Sequence, residues 1–239
     1  MTAAIILAGG LGTRLQSIVS DRPKPMALVK NKPFLQHQMD YWVKQGVSRF
    51  ILSVGYMSEL IIECFGSSFL RVPVDYSIES TPLGTGGGLL QAVSQLDSKD
   101  PFLLLNGDTY FDVHLSELKK KYKETNADMV FSGFESSFTE RYMGLEVSSE
   151  KIIDLNIKPD LKNTSVLVNG GVYLIGPRPI EILRKYHFLN EKFSLETTGF
   201  AELMKEQLVL VYLNSTGNFI DIGVPEDYLK AQDMPFFIA

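Results

Sequence analysis

Three glycines crowd into one short stretch near the N-terminus, Ala8-Gly9-Gly10-Leu11-Gly12-Thr13-Arg14. A loop without side chains lets backbone N–H groups close on a phosphate, and Arg14 adds a permanent, fork-shaped cation to the same loop. The spacing is not the dinucleotide fingerprint, because Leu15 stands where the third glycine belongs. It is not a P-loop either, since the chain has no Gly-Lys pair. Shortly after it comes Pro23-Lys24-Pro25. Two prolines stiffen this segment, deny it a helix and hold Lys24 out rigidly, as a phosphate clamp requires. Each feature alone also has an ordinary reading, a tight strand-to-loop turn and a solvated lysine.

Further along, Glu79 precedes the glycine-rich run Gly84-Thr85-Gly86-Gly87-Gly88. A glycine-rich loop opening a helix offers free N–H groups and close approach to a flat base. The Glu79 carboxylate could accept from the N1–H and amino pair of guanine. Asn106-Gly107-Asp108 follows the apolar run Phe102–Leu105, and Asp221 follows Phe219-Ile220. A carboxylate at the carboxyl end of a parallel strand lies where open α/β sheets bind ligands. The competing roles are a turn cap for Asp108 and a strand-end turn for Asp221. Asp112 and Asp227 are assigned to capping. His37, His114 and His187 fall in no motif and are expected to be structural or solvent-facing.

The elements that must carry these residues alternate through the first half. Ala3–Leu7, Arg49–Val54, Val72–Ile78 and Phe102–Leu105 read as strands. Leu35, Met39, Trp42 and Val43 share one face of a helix closed by Gly46; Met57–Phe65 and Leu89–Leu96 read as further helices. That rhythm predicts a parallel sheet with helices on both faces. After about residue 110 the pattern loosens into a mixed extension. Strands are expected over 127–134, 145–147, 152–157, 166–175, 208–213 and 219–222, with helices over 180–186, 195–206 and 225–232. The run Lys119-Lys120-Lys121 with Lys123 alternates with Glu117 and Glu124, which reads as a solvated helix face.

The 239 residues suit one domain, and a formal net charge of −5 argues against a nucleic-acid partner. The single cysteine, Cys64, excludes an internal disulfide and is expected to be buried and inert. The N-terminal apolar run is short and lacks a basic leader, so the chain reads as cytoplasmic, without a membrane partner.

Together, Gly-Gly-x-Gly-Thr-Arg-Leu and Pro-Lys-Pro resemble the signature of the sugar-1-phosphate nucleotidyltransferases. That family joins a nucleoside triphosphate to a sugar 1-phosphate. The resemblance runs from Ala3 to Tyr228 and implies a Rossmann-like three-layer α/β/α fold with a mostly parallel mixed sheet. It implies a single domain, 1–239, with a nucleotide-binding half to about residue 110 and a sugar-phosphate half after it. Arg14 and Lys24 would be catalytic. Leu7, Ala8, Gly9, Gly10, Gly12, Thr13, Glu79, Gly84 and Thr85 would hold the nucleotide, and Asp108 and Asp221 would hold Mg²⁺.

By the same resemblance, Gly144, Lys158, Asn169 and Glu196 would meet the sugar phosphate. Two positions depart from the family pattern. Met143 stands at a usual glycine and Ile157 at a usual glutamate. Within the family, Phe193-Ser194-Leu195-Glu196 and Phe219–Tyr228 are most similar to guanylyltransferases acting on D-glycero-α-D-manno-heptose 1-phosphate. The implied substrates are GTP and that sugar phosphate; the implied product is GDP-heptose for bacterial surface glycans such as lipopolysaccharide or capsule. A homo-oligomer is left open. One rival is a sister enzyme, a mannose 1-phosphate guanylyltransferase or a uridylyltransferase. The other is a non-catalytic nucleotide-sugar sensor, against which the joint presence of Arg14, Lys24, Asp108 and Asp221 argues.

Overall fold

The computed structural model describes residues 1–96, 99–137, 141–155 and 165–237. From β1 (Ala3–Leu7) a long loop leads to a hairpin of β2 (Leu28–Val29) and β3 (Lys32–Pro33). Then follow α1 (Phe34–Lys44), β4 (Arg49–Val54), α2 (Ser58–Phe65), β5 (Ser68–Phe69), β6 (Val72–Ile78), α3 (Gly84–Val93) and β7 (Phe102–Asn106). The later part runs through β8 (Thr109–Phe111), α4 (Leu115–Glu124), β9 (Met129–Ser136), β10 (Gly144–Ser148), β11 (Lys151–Leu155) and β12 (Val166–Ile175). It continues with α5 (Pro177–Tyr186), α6 (Phe200–Lys205), β13 (Leu210–Asn214), β14 (Phe219–Asp221) and α7 (Pro225–Asp233).

Among the described residues, ten strands form one sheet in the order β10-β11-β13-β9-β12-β7-β1-β4-β6-β5. The alternating first half supplies its parallel part, β7-β1-β4-β6. β12 then runs antiparallel to both β7 and β9, while β13 returns parallel to β9. The sheet is therefore mixed, with its antiparallel pairs contributed mainly after residue 110.

Side chains alternate across the strands, and each face carries its own apolar layer. Ala4, Ile6, Leu103 and Leu105 pack with Leu35, Met39 and Trp42 of α1, Ile61 and Phe65 of α2, and Leu118 of α4. Ile5, Phe102 and Leu104 pack on the opposite face with Leu89 and Leu90 of α3, Leu183 of α5 and Phe200 of α6. Each Leu, Ile, Met or Phe among them contributes about 1.5–3 kcal/mol when fully buried. A third cluster lies beside the sheet. Leu15, Phe34, Tyr110, Ile220, Ile222 and Phe237 clamp the loop after β1 against β8, β14 and the C-terminal segment.

Several expectations shift. α3 starts at Gly84, five residues earlier than the apolar pattern indicates, although glycine is a poor helix former. Gly84, Gly86 and Gly87 lie directly against the 191–193 segment, which leaves no space for a Cβ there. The helix expected over 195–206 breaks into a π-helical turn, Leu195–Gly199, followed by α6. The Ser194 hydroxyl caps it, accepting from the Thr197 N–H at 3.2 Å. Lys24–Met26 is one turn of 3-10 helix, so the two prolines do not exclude helix entirely. Pro25 sits in the first turn, where a missing N–H costs nothing.

Cys64 is exposed, not buried, because α2 buries only Ile61 and Phe65. Partial burial still pushes its thiol pKa up, with Glu63 adding to the shift, so it is not an activated nucleophile. The lysine run lies on α4 as expected, with Lys121 Nζ 2.6 Å from Glu150. β8 is too short to show in the sequence pattern. Residues 156 and 157 of the expected 152–157 strand lie outside the described residues. Among the described residues, no helix is long and apolar enough to cross a membrane.

Candidate active site

The strand order reverses at β1. β4 and β6 lie to one side and β7 to the other, so the loops leaving β1 and β7 part at their carboxyl ends. Open α/β sheets bind ligands at such a point. A cavity of about 500 Å³ opens there. The two loops touch at its base, where the Gly107 N–H donates to the Leu7 carbonyl at 2.9 Å. A Cβ on Gly107 would come within 2.5 Å of that oxygen, so the approach requires glycine.

Leu7, Ala8, Gly9, Gly10, Gly12 and Thr13 form one wall. Gly12 has a φ of +62°, a left-handed turn that carries the loop over Lys24. The 3-10 turn delivers Lys24 into the same cavity, where its ammonium pairs with Asp108 Oδ2. Glu79, Gly84 and Thr85 make the second wall, and Glu196 the third. Thr85 ties these two together. Its hydroxyl donates to Glu196 Oε2 at 2.5 Å and accepts from the Leu195 N–H at 2.9 Å. Glu79 is held by the Leu83 N–H at 2.9 Å on Oε2 and by the Ser53 hydroxyl at 3.1 Å on Oε1.

Asp221 and Arg14 lie beside the cavity instead of on its walls. β14 pairs with β8, which sets Asp221 opposite Thr109, and the Ile222 N–H donates to the Asp108 carbonyl at 2.9 Å. Asp221 Oδ1 accepts from the Gly223 N–H at 2.5 Å. Arg14 is exposed, with its guanidinium near the Gly223 turn. Burial and the neighbouring Asp108 charge push the Asp221 carboxyl well above the ordinary range, against the pull of Gly223, Lys24 and Arg141.

Asp108 and Asp221 are neighbouring carboxylates that repel each other, a burden that a divalent cation would relieve beyond what Lys24 offsets. Among the described residues no group of three or more His, Cys, Asp or Glu side chains could hold a metal. A pair of carboxylates completed by phosphate oxygens and water suits Mg²⁺.

Asn169 and Gly144 are not on the cavity walls. Asn169 turns its amide inward, Nδ2 donating to the Tyr173 hydroxyl at 2.6 Å and Oδ1 accepting from the Gly171 N–H at 3.0 Å. Its N–H donates to the Met143 carbonyl at 2.9 Å, and Gly144 is buried where β10 pairs with β12. Lys158 lies outside the described residues.

The structure gives places to motif residues that carried no assigned role. Asn106 and Lys192 line the cavity. Arg141 pairs with the buried Asp227, which also accepts from Lys230 at 3.0 Å. Asp227 therefore does not cap α7 but pins it to the segment before β10. Asp112 clasps the turn before β14, accepting from Asn218 N and Nδ2 at 2.7 Å each. His37 is buried with Nε2 2.9 Å from the Val29 carbonyl, a structural role. His187 stacks on Phe193 and lies between Glu191 and Glu202, which supports the loop carrying Lys192 and Glu196.

Burial disfavours the Asp227 carboxylate, but Arg141 and Lys230 outweigh it and hold its pKa below the ordinary value. A depressed carboxyl adds stability above its unfolded pKa of about 3.9 and loses it as the pH falls through the folded value. Asp227→Asn is expected to lower stability by about 1–2 kcal/mol at pH 7, a charged hydrogen bond discounted for the part-exposed Arg141. Urea unfolding at pH 7 and below pH 4 checks it; the deficit shrinks in acid.

Residues 3–234 match the family model described as Nucleotidyl transferase. A D-glycero-α-D-manno-heptose 1-phosphate guanylyltransferase of Aneurinibacillus thermoaerophilus is 38% identical over 229 residues, 96% of each chain. One from Campylobacter jejuni is 39% identical over 225 residues, 94% of this chain and 96% of that relative. The crystal structure of HddC from Yersinia pseudotuberculosis complexed with GMP-PN superposes with a TM-score of 0.82 at 34% identity. It covers 98% of this chain and 99% of that one.

Proposed function

The chain belongs to the nucleotidyl transferase family, and from that premise we propose that it transfers a guanylyl group from GTP to D-glycero-α-D-manno-heptose 1-phosphate. The heptose and the guanine rest on its likeness to the heptose 1-phosphate guanylyltransferases. The observation that carries the chemistry is the meeting of the β1 loop, Lys24 and Asp108 in one cavity.

An oxygen of the sugar phosphate attacks the α-phosphorus in line. A new P–O bond forms, the bond from the α-phosphorus to the bridging oxygen breaks, and that electron pair leaves with pyrophosphate. The attacking oxygen is already ionised, so no general base is needed, and the protein's task is to position and to neutralise charge. N–H groups of the glycine-rich loop face the triphosphate, and Arg14 offsets the charge gathering on pyrophosphate. Lys24 stands at the α-phosphate. Family members generally use a divalent metal; Mg²⁺ is the ion we assign, held by Asp108 and Asp221, to supply charge neutralisation when bound.

In this reading Gly84, Thr85 and Glu79 hold the base, and Glu196 meets sugar hydroxyls. Gly144, Lys158 and Asn169 keep their assignment to the sugar phosphate from the family resemblance alone. The division of one domain into a nucleotide half to about residue 110 and a sugar half beyond it is part of the same proposal. A cytoplasmic supply of GTP suits it, and a glycosyl transfer to a surface glycan would consume the product.

A pyrophosphate-release assay crossing GTP, ATP and UTP with heptose, mannose and amino-sugar 1-phosphates tests the reading. The expected optimum is GTP with the heptose; an optimum at mannose 1-phosphate or UTP would transfer the assignment to a sister activity. Glu79→Gln separately tests the base. Adenine lacks the N1–H and 2-amino pair, so the parent should favour GTP over ATP. The substitution should shrink that preference by about tenfold, the scale of a hydrogen bond to a charged group. An unchanged GTP-to-ATP ratio in kcat/KM removes Glu79 from base choice.

A further inference from the structure

Glu79 reaches the cavity through a slot bounded by backbone. A Cβ on Gly9 would come within 2.5 Å of its Oε1, and one on Gly88 within 2.9 Å. Ser53, fully buried on β4, closes the back of the slot. Its hydroxyl donates to Glu79 Oε1 at 3.1 Å, while the Leu83 N–H donates to Oε2 at 2.9 Å. Ser53 is not among the residues lining the cavity, so its hydroxyl acts on a ligand only through Glu79.

An ionised carboxylate offers about four acceptor sites, two on each oxygen. The chain occupies one on each, which leaves one on each for a ligand. That remainder matches in number the N1–H and 2-amino donors of guanine. Two fixed donors on opposite oxygens also define the plane of the carboxylate. Without the one from Ser53, the group turns about the single bond to Leu83.

We propose that Ser53 is a positioning residue for base selection, orienting Glu79 so that its two free acceptors meet the guanine edge together. The proposal rests on the reading of Glu79 as the base-reading group. Ser53 also has a backbone link to the phosphate loop, because its carbonyl accepts from the Ala8 N–H at 2.7 Å. A side-chain substitution leaves that link in place, so the hydroxyl can be tested by itself.

The test compares kcat/KM for GTP and for ITP, which lacks the 2-amino group, at a fixed level of heptose 1-phosphate. The proteins are the parent, Ser53→Ala, Glu79→Gln and the double variant. The parent should favour GTP by about tenfold, and Ser53→Ala should lose most of that through the KM for GTP. Its kcat with ITP should match the parent. The double variant should show the ratio of Glu79→Gln alone, because residues acting in series are not additive. Ser53→Cys, which keeps the bulk with a weaker donor, should fall between parent and Ser53→Ala, and it carries the test if the alanine variant is unstable. A parental ratio in both Ser53 variants overturns the proposal and leaves the role of Glu79 standing. A parental ratio in Glu79→Gln overturns both. A double variant with a lower ratio than Glu79→Gln shows that Ser53 acts elsewhere and also overturns the proposal.

Discussion

Replacing Lys24 with methionine is expected to lower kcat by roughly 10²–10³-fold, the loss that follows removal of one preorganised charge-stabilising group. Methionine keeps the length of the stem and removes only the ammonium. The 3-10 turn is held by its own backbone, with the Met26 N–H donating to Pro23 at 2.8 Å and the Ala27 N–H to Lys24 at 3.0 Å. The fold should therefore survive. Lys24→Arg should rescue little, because a planar fork cannot replace a point charge in a site shaped around it. Loss of the ammonium also frees Asp108 from its present partner. The Mg²⁺ concentration for half-maximal rate should stay the same or fall while kcat collapses. A well-folded Lys24→Met protein with near-parental kcat would remove Lys24 from the reaction.

Asp221→Asn should separate activity from stability. Under the proposed assignment of metal ligands, it should reduce turnover by about 10²-fold or more, since a neutral amide is a poorer partner for a hard divalent cation. The same change should stabilise the metal-free protein at pH 7, by on the order of 1–3 kcal/mol. It removes a charge that burial and Asp108 both disfavour. An amide oxygen can still accept from the Gly223 N–H, so the turn is preserved. Unfolding in the presence of a chelator, beside a pyrophosphate assay at saturating Mg²⁺, measures both effects. A variant that is destabilised without metal would mean that the two carboxylates do not burden each other. Such opposition is expected where a site is built for charge it must later bind.

Much of this arrangement is legible in the sequence, for definite reasons. Ala3–Leu7 and Arg49–Val54 are recognisable because a strand buried on both faces reads as a continuous apolar run. Lys24 and Asp108 stand out because proline and glycine mark the backbone around them. What the sequence withholds is pairing across distance. Arg141 and Asp227 are far apart in the chain and carry no shared pattern, and Ser53 is an unremarkable residue in a strand. The start of α3 is hidden for the opposite reason. Its glycines argue locally for a loop, and only their packing against the 191–193 segment shows why a helix forms.

The third apolar cluster sets a timetable. The loop that carries Arg14 and Lys24 is made early, but its anchors come late. Lys30 Nζ donates to the Met234 carbonyl at 2.7 Å, and Tyr228 and Gln232 both donate to the Leu28 carbonyl, at 2.9 and 2.8 Å. Phe237 completes the cluster around Leu15 and Phe34. A ribosome adding about 5–20 residues per second reaches that segment roughly 10–40 s after the loop has emerged. Through that interval the parallel strands can already pair and the loop can meet β8 and Asp108, but it lacks its C-terminal anchors. A nascent chain of this protein can thus pair the parallel half of its sheet before the loop carrying Arg14 and Lys24 is fully anchored.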